Sequence, residues 1–235
     1  AYLIYPDPFL SMWFGFAVAG YSVIANDSIQ TLGTFFSSNR QIPWYWQWFL
    51  VGGVMLMVMA YGFIANQGDV AFGRLQTIPQ PMSFNFLQLL SPVILVVLTY
   101  WRMPVSTTFL LLSVFGSKQT IEYMLYKSAA GYALALLFSL MIFYILHSML
   151  KKIFNTKEYP VKIWRFMQIC VTMGLWTIWL MHDSANVAVF FPRQLDWYQF
   201  AVVSGYLFLV VGFMMYLRGG RIQRVVTEKT RVGDY

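Results

Sequence analysis

Long apolar stretches alternate with short polar gaps along the whole chain, and the stretches cover 9–36, 44–65, 83–101, 103–126, 129–150, 162–191 and 199–217. A hydrocarbon core of about 30 Å is crossed by about 20 apolar residues in a helix, so the pattern predicts an all-α integral membrane protein with about seven crossings. Four of the stretches are unbroken. The other three, 9–36, 103–126 and 162–191, carry polar residues or proline in mid-stretch and predict interrupted helices. Polar or irregular backbone at membrane depth survives only where it is buried in protein or lines a wet cavity, so function is expected at the interruptions.

Composition narrows the class. Of 235 residues, 59% are hydrophobic, 19% aromatic and 11% charged, against roughly 25% charged in soluble domains. This excludes an ordinary soluble globule, and also intrinsic disorder, which needs low hydrophobicity and high net charge. Cys170 is the only cysteine, which excludes a disulfide scaffold. The net charge of +7 is spread through the gaps rather than gathered on one surface, so it argues for membrane topology and against nucleic acid as a partner.

If each stretch crosses once, one set of alternate gaps holds 12 basic residues: Arg40, Arg102, Lys151, Lys152, Lys157, Lys162, Arg165, Arg218, Arg221, Arg224, Lys229 and Arg231. The other set holds 4, Arg74, Lys118, Lys127 and Arg193. The positive-inside rule then places the larger set in the cytoplasm and Ala1 outside, in a multi-pass protein of the cell (inner) membrane. Trp44, Tyr45, Trp46 and Trp48 are expected at a water interface, or any one of them simply packed facing lipid.

The first interruption, Asn26-Asp27-Ser28-Ile29-Gln30-Thr31, puts a carboxylate, two amides and two hydroxyls into an apolar span. A charge there costs at least ~2.5 kcal/mol on insertion scales and ordinarily faces a cavity or an ion path. The bland alternative has Asp27 at the interface, capping a turn. The second interruption is Met103-Pro104-Val105-Ser106-Thr107-Thr108. Proline is tolerated in the first turn of a helix, and three hydroxyl residues beside free amides suit an oxyanion, although Ser and Thr there also serve as plain caps. The third is His182-Asp183-Ser184-Ala185-Asn186. Asp27-Ser28 matches Asp183-Ser184 at an offset of 156 residues, with Asn26 opposite His182 and Gln30 opposite Asn186. The two copies cross the membrane in opposite directions, and inverted repeats with broken helices point to a secondary transporter's binding site.

Together and in this order, these motifs resemble the signatures of the inorganic phosphate transporter family, which carries two Asn-Asp-x-x-Asn and two Pro-x-Ser-Thr-Thr motifs in inverted repeats. The stretch Gly220-Arg221 to Thr230 is similar to that family's charged loop. The chain departs from the pattern at Gln30 and His182, where the family has Asn, and at Val189, which stands opposite Gly33. The resemblance implies an inverted-repeat secondary-transporter fold with broken helices and a re-entrant or interrupted Pro-x-Ser-Thr-Thr helix. It implies sodium as coupling ion, held by Asp27 and Asp183, and no other cofactor. The substrate implied is a small inorganic oxyanion, phosphate first, held by Asn26, Gln30, Ser106, Thr107, Thr108, His182 and Asn186. Sulfate or another anion on the same scaffold stays open, as do a non-transporting accessory or assembly subunit and a homodimer or larger membrane complex.

The repeat divides the chain into a first transmembrane repeat (1–150), a cytoplasmic connecting loop (151–161) and a partial second repeat (162–235) ending in a basic loop. Pro104 follows Asp27 by 77 residues, so a second hairpin is expected near position 260 and the chain reads as a fragment. Glu122, among Lys118, Tyr123 and Lys127, is expected to form an interface ion pair rather than serve as a coupling carboxylate, His147 to lie near the headgroups, and Asp69–Arg74 and Asp196–Arg193 to form loop pairs. His182 is placed either to bond or titrate beside the anion or to orient Asp183. No nucleophile with an adjacent base, no Gly-rich phosphate loop and no His/Cys ligand spacing occurs, which argues against an enzyme.

Overall fold

The computed structural model describes residues 6–103, 105–154 and 161–218, and the side chains of all of these but 29, 30, 148–154, 161 and 162. Pro104, the Gln30 side chain and the Gly220–Thr230 loop therefore lie outside the described residues. The regular structure among them is helical: α1 (Pro8–Val23), a π segment (Ile24–Ser28), α2 (Ile29–Ser38), α3 (Trp44–Ala65), α4 (Phe86–Tyr100), α5 (Thr107–Leu112), α6 (Lys118–Phe154), α7 (Val161–Ala188) and α8 (Trp197–Tyr216). Five described helices are long and apolar enough to cross a membrane: the unit beginning with α1, then α3, α6, α7 and α8.

Local chemistry explains where these helices begin. Asp7 accepts hydrogen bonds from the Phe9 and Leu10 amides, and Pro8 occupies the first turn, where its missing N–H costs nothing. Asn85 with Gln88, and Asp196 with Gln199, form reciprocal capping boxes at the starts of α4 and α8.

In place of seven expected crossings, the described residues hold five helices long and apolar enough to cross and one helical hairpin. Residues 83–101 and 103–126 do not cross in turn. Arg102 takes a left-handed φ of 62° after α4, and α5 then runs back beside α4. Gln88 Nε2 donates to the Val114 carbonyl at 3.3 Å, and the Phe84 and Phe115 rings meet edge to face at 6.4 Å. Both ends of the 85–117 hairpin thus lie at one end of the bundle. The cause is legible in the chemistry of 103–126: a six-residue α5 rises only ~9 Å, and the chain breaks again around Gly116 before α6 begins. Within α4, Pro92 frees the Gln88 carbonyl, which accepts from Ser91 Oγ at 3.2 Å. Because a hairpin replaces two crossings, the direction of later helices is unchanged, but Arg102 sits at the hairpin turn rather than in a loop between spans.

The other two interruptions also take different forms from the expected breaks. The first is a π segment inside a continuous helical run from Pro8 to Ser38. The third is not an interruption, because α7 stays α-helical through His182-Asp183-Ser184-Ala185-Asn186. Polar side chains there bond to one another while the backbone ladder remains intact, so a polar cluster marks a site without breaking its helix.

Pro8 shares a small cavity with Phe190 and Pro192, and Asn39, just past α2, reaches Gln168 of α7 at 3.5 Å. The Pro8–Ser38 run and α7 are therefore antiparallel. α3 and α8 pack closely at small residues: a Cβ on Gly212 would stand 2.6 Å from the Trp48 ring, and one on Gly52 would stand 2.6 Å from the Phe208 ring. Trp48 Nε1 donates to the Phe208 carbonyl at 2.9 Å, and Trp176 Nε1 to the Val51 carbonyl at 3.0 Å. Such close packing and interhelical hydrogen bonding hold helices together where lipid offers no hydrophobic drive between them. Trp48 is thus a packing residue, while Trp44, Tyr45 and Trp46 stay exposed at the start of α3.

The connection from α3 to α4 is pinned. Gly68, at a φ of 97°, accepts from the Leu195 amide at 3.0 Å. The Asp69 carboxylate accepts from the Ala71 and Gly73 amides, each at 2.7 Å. Arg193 donates to the Ile78 and Pro79 carbonyls. The expected Asp69–Arg74 and Asp196–Arg193 loop pairs therefore do not form: both carboxylates are used as backbone caps. The Lys118–Glu122 pair does form, at 3.9 Å on the exposed face of α6.

Candidate functional site

Three elements meet near the middle of the bundle. The π segment supplies Asn26 and Asp27, the turn into α5 supplies Ser106, Thr107 and Thr108, and α7 supplies His182, Asp183 and Asn186. A π turn inserts an extra residue and re-aims side chains, and such bulges collect at functional sites. Asn26, Asp27, Ser28, Thr107, Asp183 and Asn186 are all buried, so this polar content lies inside the protein rather than facing lipid.

The side chains form one connected network. Asn26 Nδ2 donates to Asp27 Oδ1 and to the Val105 carbonyl, both at 2.8 Å. Thr107 donates its hydroxyl proton to Asp27 Oδ2. Asn186 Nδ2 donates to Thr107 Oγ1 at 3.1 Å, to Thr108 Oγ1 at 3.2 Å and to Asp183 Oδ1 at 3.3 Å. His182 Nδ1 meets Asp183 Oδ1 at 3.1 Å. Two carboxylates from antiparallel helices are thereby linked through one threonine of the hairpin and one asparagine. Ser106 accepts from the Phe109 amide at 3.5 Å, as a helix cap.

Counting protons assigns different capacities to the three hydroxyls. The single Thr107 proton is committed to Asp27, whereas Ser106 and Thr108 act as acceptors here and keep a proton to give. The amide nitrogens of Asn26 and Asn186 each face acceptors, which fixes both amides' orientation. Their oxygens, Asn26 Oδ1 and Asn186 Oδ1, are buried without a hydrogen-bond partner, as is Thr31 Oγ1. Buried acceptors beside two carboxylates are costly unless a cation or a proton donor joins them.

A cavity of about 780 Å³ adjoins this network. Asp27, Ser106, Thr107, Thr108 and His182 line it, and so do Arg74 from the α3–α4 connection and Lys127 from the early turns of α6. Partial desolvation draws the Arg74 guanidinium below its usual range, and the Asp183 carboxylate acts in the opposite sense; arginine stays charged throughout. Ser28, Asp183 and Ser184 also border a second cavity of about 40 Å³ that is otherwise apolar.

Of the site residues expected from the sequence, Asn26, Asp27, Ser106, Thr107, Thr108, His182, Asp183 and Asn186 are brought together, and the Gln30 side chain lies outside the described residues. Arg74 and Lys127 are additions. Their one sequence signal is that both belong to the sparser of the two sets of basic residues in alternate gaps, four against twelve. Comparison of the chain with family models, curated proteins and solved structures finds no match.

Proposed function

We propose that this multi-pass membrane protein is a cation-coupled secondary transporter of a small inorganic oxyanion, with sodium as the coupling ion and phosphate as the first substrate to test. The observation that carries the reading is the linked carboxylate pair: Asp27 and Asp183, on antiparallel helices, are joined through Thr107 and Asn186 beside two unpartnered amide oxygens. The motif resemblance points the same way, and the expected topology places the Ala1 end outside the cell membrane.

A hard monovalent cation suits an all-oxygen set of this kind. Carboxylate oxygens of Asp27 and Asp183, with Asn26 Oδ1 and Asn186 Oδ1, would supply negative charge and dipoles without any soft ligand. The cation in turn neutralises carboxylates that would otherwise repel an anion in the adjoining cavity. Ser106 and Thr108 then donate hydroxyl protons to the oxyanion, and Thr107 ties the occupancy of the carboxylates to the position of the hairpin. Because the hairpin reaches only part-way into the bundle, its movement against α7 would change which end of the bundle reaches the site, the requirement for alternating access.

Coupled uptake tests this directly. Asp27→Asn and Asp183→Asn each keep size but remove charge, and each is expected to abolish sodium-driven uptake while the purified protein stays monodisperse. Unchanged uptake in both variants rejects the reading.

A further inference from the structure

Resting on that reading of the site, we infer that Arg74 and Lys127 form a cationic capture station in the 780 Å³ cavity, selecting a doubly charged tetrahedral oxyanion before it reaches Ser106 and Thr108.

Placement is the first ground. Arg74 comes from a connection whose shape is fixed locally: Asp69 accepts from the Ala71 and Gly73 amides, and the Arg74 amide donates to the Ala71 carbonyl at 3.1 Å. Gly68 fastens the same connection to Leu195. Lys127 shares one face of α6 with Ser128, Gly131 and Tyr132, and all four line the cavity. Two cations from different elements thus face one space together with the hydroxyls of the hairpin.

Available charge is the second. Neither Arg74 nor Lys127 forms an ion pair among the described residues, where Lys118 pairs with Glu122. The Lys127 ammonium lies 6.0 Å from the Tyr123 ring centre, a contact that leaves its charge available.

Size is the third. The cavity far exceeds the ~30 Å³ share of one water molecule, so an anion enters it hydrated and is first held by field rather than by direct coordination. Two positive charges match a dianion better than a monoanion. Attraction of this kind weakens over a Debye length of about 8–10 Å at physiological salt, which gives the inference a signature independent of any mutation.

The test is uptake of labelled phosphate and sulfate into proteoliposomes by the full chain, at constant sodium and varied choline chloride, for the wild type, Arg74→Gln, Lys127→Gln and the double variant. Each single variant is expected to raise KM about threefold to fivefold and the double variant at least about tenfold, with maximal rate and sodium half-saturation held within about twofold. Wild-type KM is expected to rise with choline chloride, and the double variant's KM to be nearly flat. Arg74→Lys and Lys127→Arg should keep the wild-type salt response. If the wild type takes up either anion but the double variant matches it in KM, or if wild-type KM ignores ionic strength, the capture station is overturned and the transport reading stands. If the wild type takes up neither anion under a sodium gradient, the transport reading falls and the inference falls with it.

Discussion

Thr107 is the residue on which the site's connectivity depends, because its one hydroxyl both donates to Asp27 and accepts from Asn186. Thr107→Val keeps the shape and removes both bonds, leaving buried polar groups unsatisfied. A loss of about 1–2 kcal/mol in stability is expected, read as a lower melting temperature in detergent, together with at least a fivefold rise in sodium half-saturation. Thr107→Ser should restore both; if Thr107→Val leaves sodium dependence untouched, the hydroxyl does not couple the hairpin to the carboxylates. At this scale the sequence was informative. Asp27, Thr107, Asp183 and Asn186 stand out because polar groups in apolar runs are rare and need partners. Arg74 and Lys127 did not stand out, because a basic residue in a gap between spans is ordinary, and only the fold brings a loop and an early turn of α6 to the same cavity.

Between elements, hydropathy located the spans well but not their form. It gave α3 and α8 to within a few residues, since an unbroken apolar run of the right length has one economical solution. It divided 83–126 into two crossings, because a re-entrant hairpin is as apolar as a pair of spans and differs only in the turn at Arg102 and the short reach of α5. The hairpin predicts an accessibility pattern. In a Cys170→Ser background, Arg102→Cys should react with a membrane-impermeant thiol reagent at least about tenfold more slowly than Arg40→Cys from the Arg40 side. Equal rates would mean that 102 lies in a loop at that surface after all. Helix packing makes a second claim. Gly212→Leu would drive side-chain atoms into the Trp48 ring and should cost about 1–3 kcal/mol, seen as a lower melting temperature, whereas Gly205→Leu, at a position where a Cβ meets nothing within 4 Å, should be near neutral.

For the molecule as a whole, the π segment, the hairpin and α7 meet at a buried pair of carboxylates, and the α3–α4 connection and α6 add two cations to the lining of the adjoining cavity. The membrane class followed from composition alone, since 11% charged residues cannot clothe a soluble surface. The matching Asp-Ser pairs placed the two halves of the site 156 residues apart before any geometry was available, and the antiparallel course of the Pro8–Ser38 run and α7 brings those halves together. What periodicity could not supply was the hairpin form of the third contributor, because the course of α4 depends on packing against α1 rather than on its own hydropathy. The central claim is that this convergence couples a cation to an oxyanion. Labelled phosphate and sulfate uptake into proteoliposomes, with and without an inward sodium gradient, measures it most directly. The account predicts gradient-dependent accumulation of at least one of the two anions, lost in Asp27→Asn and in Asp183→Asn. Accumulation that is equal with and without the gradient, or that survives both substitutions, would contradict it.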